Sequence, residues 1–335
     1  MRTEILSLLR ERGDYVSGQE LCERFGVSRT AVWKAVEQLK KDGYEIAAVK
    51  NRGYLLKEEK VSVYGRTELE SRLRGKTDWA GRTLYYFDSL DSTNLQAKRL
   101  AEEGAPHGTL VAADQQTAGR GRRGRGWSSP AGSNLYFSLL LRPQIFPNKA
   151  SMLTLVMALA VAEGISQCCE GADSKQKAGI KWPNDIVLDG RKVCGILTEM
   201  SLSVEQDSIQ YVVIGAGINV ARQDFPEEVR ERAVSLEEIY GPVGRSLLLR
   251  SVLQSFEKDY EEFINAESLA PLRSRYEAFL RNRDQKVRVL DPKGDFEGIA
   301  RGIRDTGELL VELPDGDIRE IYAGEVSVRG IYGYV

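Results

Sequence analysis

The apolar positions of the first 42 residues recur at helical spacing. Ile5, Leu8 and Leu9 share one face, which ends near Gly13; Val32, Ala35, Val36 and Leu39 line one side of a stretch from Arg29 to Asp42. Between them, Ser17-Gly18-Gln19-Glu20 has the form of a reciprocal cap, opening a helix that runs to Phe25 and turns at Gly26-Val27. Ser28 is placed to cap the next helix. From Tyr44 the period drops to two. Tyr44 to Val49 and Tyr54 to Leu56 alternate around Lys50-Asn51-Arg52-Gly53, which reads as a hairpin. Two short helices joined by a glycine-containing turn, followed by a hairpin, give a winged helix-turn-helix over residues 1–60. Glu58, Glu59 and Lys60 read as a solvated linker, and the segment from there to Gly81 offers no pattern.

The middle of the chain, 82–275, mixes both periods. Leu84 to Phe87, Thr109 to Gln116, Asn134 to Leu141, Lys192 to Glu199 and Tyr211 to Val220 read as strands. Leu95 to Glu103, Lys149 to Gln167, Arg245 to Phe263 and Pro271 to Phe279 read as helices. Ser92 or Thr93 is placed to cap the first of these helices. Asp189-Gly190 signals a hairpin turn. Beyond residue 282 only short strands remain: Val287 to Leu290, Phe296 to Arg304, Leu309 to Leu313, Ile318 to Tyr322 and Val326 to Arg329, separated by glycine turns. They predict a small antiparallel barrel over 282–335.

Composition narrows the reading. The chain has 335 residues, 42% of them apolar, enough for two or three domains with sizeable cores. The net charge of −2 means that any nucleic-acid contact comes from local patches. One histidine and four cysteines without a C-x-x-C pair argue against a zinc site, and the vicinal Cys168-Cys169 is not expected to form a disulfide. No signal peptide and no run of eighteen consecutive apolar residues stand out, so a cytoplasmic protein without membrane contact is expected.

Two stretches carry candidate chemistry. In the first, Asp114 to Ser138, Gly119, Gly121, Gly124 and Gly126 interleave with Arg120, Arg122, Arg123 and Arg125. Residues 119–124 match G-x-G-x-x-G, but Trp127-Ser128-Ser129-Pro130 follows instead of a helix, which excludes the dinucleotide context. There is no P-loop. A cationic loop jointed by glycines and set between strands suits an anion-binding lid; a solvated basic loop is the plainer alternative. The second stretch is Lys181-Trp182-Pro183-Asn184-Asp185, a lysine between buried strands. Gly215 and Gly217, in the strand after it, leave room for a close ligand. On the winged helix, Arg29, Thr30 and Lys34 are placed to face a DNA major groove and Arg52 the backbone or minor groove. Protein contact is the alternative use of such a unit, but the charges of helix and wing agree on DNA.

Together these motifs resemble the biotin–protein ligases of the bifunctional ligase and biotin operon repressor type. The matching residues are Ser92-Thr93-Asn94, the loop from Gly119 to Trp127, Lys181 to Asp185, Lys192 with Gly195-Ile196-Leu197, and Gly215 to Asn219, in this order and across nearly the whole chain. The resemblance implies an α+β chain: a winged helix, a central α/β ligase domain with a mixed sheet, and an SH3-like C-terminal barrel that packs on the catalytic domain. It implies that biotin and ATP, with Mg²⁺, give biotinyl-5′-AMP, and that an acceptor lysine on a biotin carboxyl carrier protein takes the biotin. By the same resemblance Lys181 and Arg122 are catalytic. Ser92, Thr93, Asn94, Gln116, Arg120, Gly121, Arg122 and Lys181 hold biotin. Gly119, Arg120, Arg122, Arg125, Trp127, Asn184, Lys192 and Asn219 hold ATP or the adenylate. Operator DNA and a homodimer are the further implied partners. A lipoate–protein ligase, a ligase-fold biotin sensor acting only on transcription, and a ligase whose winged helix no longer binds DNA remain as alternatives.

Overall fold

The structure is a computed structural model that describes residues 1–57, 63–169, 177–203, 208–292, 294–323 and 327–330. The linker reading at Glu58 to Lys60 and the first residue of the last expected strand, Val326, lie outside them. Helices α1 (Arg2–Arg12), α2 (Gly18–Phe25) and α3 (Arg29–Lys41) pack with a hairpin of β1 (Ile46–Val49) and β2 (Gly53–Leu56) around Ile5, Leu9, Leu21, Val36 and Leu39. Val16 pairs with Tyr54 and so ties the start of α2 to the wing. Ser17 caps α2 as expected, accepting from the Glu20 amide at 3.0 Å. The return half of that cap is missing, because Arg12 takes the Glu20 carboxylate at 2.6 Å.

The segment after the wing is structured. α4 (Arg66–Leu73) buries Leu69 and Leu73, but also Glu68 and Ser71. A buried face that is half polar has no apolar period, which hides this helix from sequence reading. Glu68 is 3% exposed. It takes a hydrogen bond from the Tyr44 hydroxyl at 2.7 Å, from Ser246 at 2.9 Å and from Arg72 at 2.9 Å, and it pairs with Arg10. Burial by itself raises the Glu68 carboxyl pKa, but Arg10, Tyr44 and Arg72 outweigh it and hold it below the usual carboxylate range.

The central domain is a seven-stranded mixed sheet in the order β3-β4-β5-β9-β8-β7-β6. In chain order its elements are β3 (Leu84–Leu90), α5 (Thr93–Glu102), β4 (Thr109–Gln116), β5 (Leu135–Leu141), α6 (Met152–Cys168), β6 (Gly179–Lys181), β7 (Asp185–Leu188), β8 (Arg191–Ser203), β9 (Ser208–Ile218), α7 (Leu236–Tyr240), α8 (Arg245–Ala266) and α9 (Arg273–Phe279). Only β3 and β4 run parallel; every other neighbouring pair is antiparallel. Along β5, Leu135, Phe137, Leu139 and Leu141 join the core with α6 and α8, while Leu140 joins Val111, Val213 and Leu100 under α5. The segment Pro147–Cys168 has the length and mean hydropathy of a membrane span, although it holds no unbroken apolar run of eighteen residues. It is the buried centre of the domain, packed between the sheet and α8, which satisfies its apolar surface without lipid.

The C-terminal unit is β10 (Lys286–Leu290), β11 (Phe296–Ile303), β12 (Leu309–Glu312), β13 (Ile318–Ile321) and β14 (Ser327–Gly330). They form one antiparallel sheet in the order β13-β12-β11-β10-β14. Its junction with the central domain is built from the lysine motif. The Trp182 amide donates to Asn282 at 2.7 Å, its indole donates to the Gly307 carbonyl at 3.0 Å, and Leu280 bridges to Ile180.

Candidate active site

Alternation along β5 and β9 decides where a cavity can form. The positions turned toward α5 include Ser138, Gly215 and Gly217, all small, so a hollow opens at that end of the sheet. Gly215 and Gly217 line the hollow, as their spacing suggested, and they also make room for the protein's own side chains. A Cβ on Gly215 would lie 1.9 Å from Asn94 Oδ1, and one on Gly217 would lie 2.4 Å from Trp127 Nε1. The two glycines seat the protein's own side chains, one from α5 and one from the Gly/Arg loop.

The inner end of the hollow is neutral and polar. Gln116, at the end of β4, accepts from the Thr93 amide at 2.9 Å and from its hydroxyl at 3.1 Å, and donates to Ser129 at 3.0 Å. Neither Ser92 nor Thr93 caps α5 with its own side chain; Gln116 instead takes the first amide of the helix, that of Thr93. Asn94 donates to Glu199 at 2.8 Å and to the Leu197 carbonyl at 3.2 Å. Ser138, which sequence reading did not single out, lies 2.8 Å from Thr93 Oγ1 and 2.6 Å from Asn94 Oδ1. A serine inside an apolar strand was the available signal.

The outer end is cationic. The Gly/Arg loop folds back on itself, with the Gly121 amide on the Arg125 carbonyl at 2.7 Å and the Trp127 amide on the Gly119 carbonyl at 2.9 Å. Arg123 (φ 58°) and Gly124 (φ 70°) turn its tip. From this hairpin Arg120, Gly121, Arg122 and Trp127 reach the cavity wall, where Asn184 and Lys192 join them. Arg122 donates to Asn184 Oδ1 at 2.8 Å and also reaches the Ala323 carbonyl of the C-terminal unit. Lys192 pairs with Asp185 at 2.6 Å and lies over the Trp127 ring.

Lys181 sits one step behind this wall. It is 6% exposed and faces Asp185 across the β6–β7 register. Burial lowers its pKa to about 8; Asp185 opposes this, while Lys192, Arg329 and Arg232 push the same way. Arg329 acts through its charge from β14, in the unit that sequence reading assigned to packing with a further part in handling ATP or acceptor. Three further named positions are not on the wall. Gly119 closes the base of the loop, where a Cβ would meet the Trp127 carbonyl at 2.4 Å. Arg125 is exposed on the loop. Asn219 turns away, donating to the Val234 carbonyl at 3.2 Å. Among the described residues there is no group of three metal-binding side chains.

On the winged helix, Arg29, Thr30 and Lys34 are exposed along α3, with Trp33 beside them at 54% exposure. Arg29 is steadied by Gln19 at 3.0 Å, and Arg52 in the wing stacks over the Tyr15 ring at 4.3 Å. The cations expected at a DNA surface thus lie on exposed positions of helix and wing.

A winged helix is thus fused to a sheet with a polar hollow, an arginine hairpin and a buried lysine. Comparison with known proteins says which class combines them. Residues 86–219 match the Biotin/lipoate A/B protein ligase family, residues 2–55 an HTH domain and residues 284–329 the Biotin protein ligase C terminal domain. The chain is 40% identical over 334 residues to the bifunctional ligase/repressor BirA of Bacillus subtilis, covering 98% of both chains. It is 35% identical over 326 residues to BirA of Escherichia coli, covering 97% of this chain and 96% of that one. The biotin protein ligase from Aquifex aeolicus, solved in complex with biotin and ATP, superposes with a TM-score of 0.64 at 34% identity, over 74% of this chain and 99% of that chain. The chain belongs to the family of bifunctional biotin ligase/repressors.

Proposed function

We propose that this protein joins biotin to ATP, giving biotinyl-5′-AMP and pyrophosphate, and then passes the biotinyl group to a lysine of a biotin carboxyl carrier protein. The observation that carries this is one hollow with a neutral polar end and a cationic end. The ureido head of biotin is polar and uncharged and suits Ser92, Thr93, Asn94 and Gln116. The carboxylate and the α-phosphate repel each other and need the cations at the opposite end. In the first step a biotin carboxylate oxygen bonds to the α-phosphorus, and the bond to the departing pyrophosphate breaks. Negative charge grows on the α-phosphate oxygens, where a preorganised cation has most effect. Lys181 takes that role, held in a low-dielectric position by burial. Arg122 closes the loop over the mixed anhydride and keeps water from it. In the second step the acceptor amine attacks the acyl carbon and AMP leaves. Mg²⁺ would be carried by the phosphates of ATP and would offset their charge, since the described residues offer no group of three metal-binding side chains to hold it separately.

The same chain represses biotin genes by binding operator DNA as a homodimer in the cytoplasm, through α3 and the wing. The test of the enzyme is mass spectrometry of a purified carrier domain after incubation with biotin, ATP and Mg²⁺. A gain of one biotinyl group is expected. A gain with lipoate instead would move the chain to the neighbouring ligase class, and no gain with either would leave a sensor.

A further inference from the structure

The chain has four tryptophans, and three of them are packed. Trp182 is 1% exposed, Trp79 stacks against His107 and Tyr260, and Trp127 lies in the cavity wall under Lys192. Trp33 is the exception: 54% of it faces solvent, one turn in from the start of α3 that Ser28 caps. It supports no core, since α3 packs inward through Val32, Ala35, Val36 and Leu39. A half-bare indole keeps a large apolar area in water, where tryptophan is seldom found.

The surroundings fit one kind of cover. Arg29 and Thr30 precede Trp33 by four and three residues and share its face, and exposed Lys34 adjoins it. Glu37, the acid one turn further on, is neutralised by Lys40 at 2.8 Å. Exposed Lys50 and Arg52 carry the positive charge onto the wing. Such a rim attracts a polyanion and repels a second copy of the same face. On DNA, the first turns of a recognition helix meet base edges in the major groove. An indole has one donor and no acceptor, so it cannot make the two-point hydrogen bonds that tell bases apart. Its apolar face matches the apolar group displayed there, the thymine 5-methyl.

We infer that Trp33 is a specificity-determining residue for operator recognition, its indole face reading thymine methyl groups in the major groove beside the polar contacts of Arg29, Thr30 and Lys34. This rests on the proposed repressor function.

The test uses the full chain with biotin, ATP and Mg²⁺. The duplex it binds best is selected from a random-sequence pool and remade with deoxyuridine for every thymidine. That exchange removes the methyls and leaves every hydrogen-bonding group in place. Mobility-shift titrations give the ratio of the two dissociation constants. The wild type binds the deoxyuridine duplex about 5- to 20-fold more weakly, each covered methyl contributing about fourfold. Trp33→Ala brings the ratio to about twofold or less, and Trp33→Gln does the same, which covers the case that Trp33→Ala does not fold. Trp33→Phe keeps an apolar ring without the N–H and keeps most of the ratio. Arg52→Ala weakens binding to both duplexes and leaves the ratio unchanged. Equal binding of the two duplexes by the wild type, or an undiminished ratio in Trp33→Ala or Trp33→Gln, overturns this inference and leaves the repressor reading standing. A ratio lost in Trp33→Phe moves the contact to the indole N–H and overturns it as well. A wild type that selects no duplex overturns the repressor reading, and this inference with it.

Discussion

A half-buried carboxylate, Glu199, and a buried one, Glu68, organise two polar networks, and the difference between them separates a cavity wall from support. Glu199 heads a chain of hydrogen bonds that ends at Thr93 on the cavity wall. Glu68 heads a network that closes on the protein itself, with Arg10 from α1, Tyr44 from the start of the wing, Arg72 from α4 and Ser246 from α8. Each has its charge matched and its acceptors filled, as burial requires. Only the first has an end open to a ligand. The second joins the winged helix to the ligase domain, and α8 extends the grip. Gln254 donates to the Lys76 carbonyl at 2.9 Å, and Glu257 accepts from the amides of Asp78, Trp79 and Ala80. A polar residue in the core therefore says little by its burial; what decides its role is where its chain of partners stops.

The comparison breaks if damage at the open site melts the protein or damage at the closed one stops chemistry. The largest effect is expected at Lys181. Lys181→Ala lowers biotin-dependent pyrophosphate exchange by on the order of 1,000-fold or more, with an unchanged denaturation midpoint. With a pKa of about 8, the lysine of the free enzyme is charged below that pH and loses its charge above it, so kcat/KM for adenylation falls as pH rises through 8. Glu68→Ala comes next. It removes the carboxylate that Arg10 and Arg72 share in a largely dry setting and costs about 3–5 kcal/mol in urea unfolding, while the folded fraction retains its exchange rate. The wild type keeps that contribution above the usual glutamate range and loses it as pH falls through the depressed value of the native state.

A third substitution sharpens the contrast from the rim of the site. Arg122→Gly removes the bonds to Asn184 and Ala323, and adenylate dissociation in stopped flow accelerates by about 10- to 100-fold, with biotinylation of bystander lysines. Unchanged dissociation would remove Arg122 from the lid. The smallest effect is outside both networks. Arg52→Ala in the wing weakens operator binding and reduces the salt slope by about one in a mobility-shift titration.

Much of this was legible in the sequence where a period ran clean. The two winged-helix helices lie within a residue or two of their expected bounds, because Val32, Ala35, Val36 and Leu39 face one core. The sheet strands were legible because strands covered on both faces read as short apolar runs bounded by turn residues. α4 was not, since its inward face carries Glu68 and Ser71 beside Leu69 and Leu73. At the site, the motif residues announced themselves by unusual composition, but their division of labour did not. Gly215 and Gly217 invited a ligand in sequence and hold Asn94 and Trp127 in space. Ser138 gave one weak sign, and Glu199 none, because a glutamate on a half-buried strand looks like any solvated charge until its partners are known.

The contact between Trp182 and the C-terminal unit has a consequence for cooperativity. The residue after the buried lysine hangs from Asn282 by its amide and from Gly307 by its indole, and Arg281 continues the pairing onto Ile180. A domain boundary drawn at residue 282 therefore passes through the wall that fixes Lys181. The terminal sheet and the edge strand of the ligase sheet belong to one unfolding unit. Local opening at that seam exposes the lysine strand together with the terminal sheet, so a protease that clips near 282 would release no autonomous unit: the part left behind would have lost the support that keeps Lys181 dry.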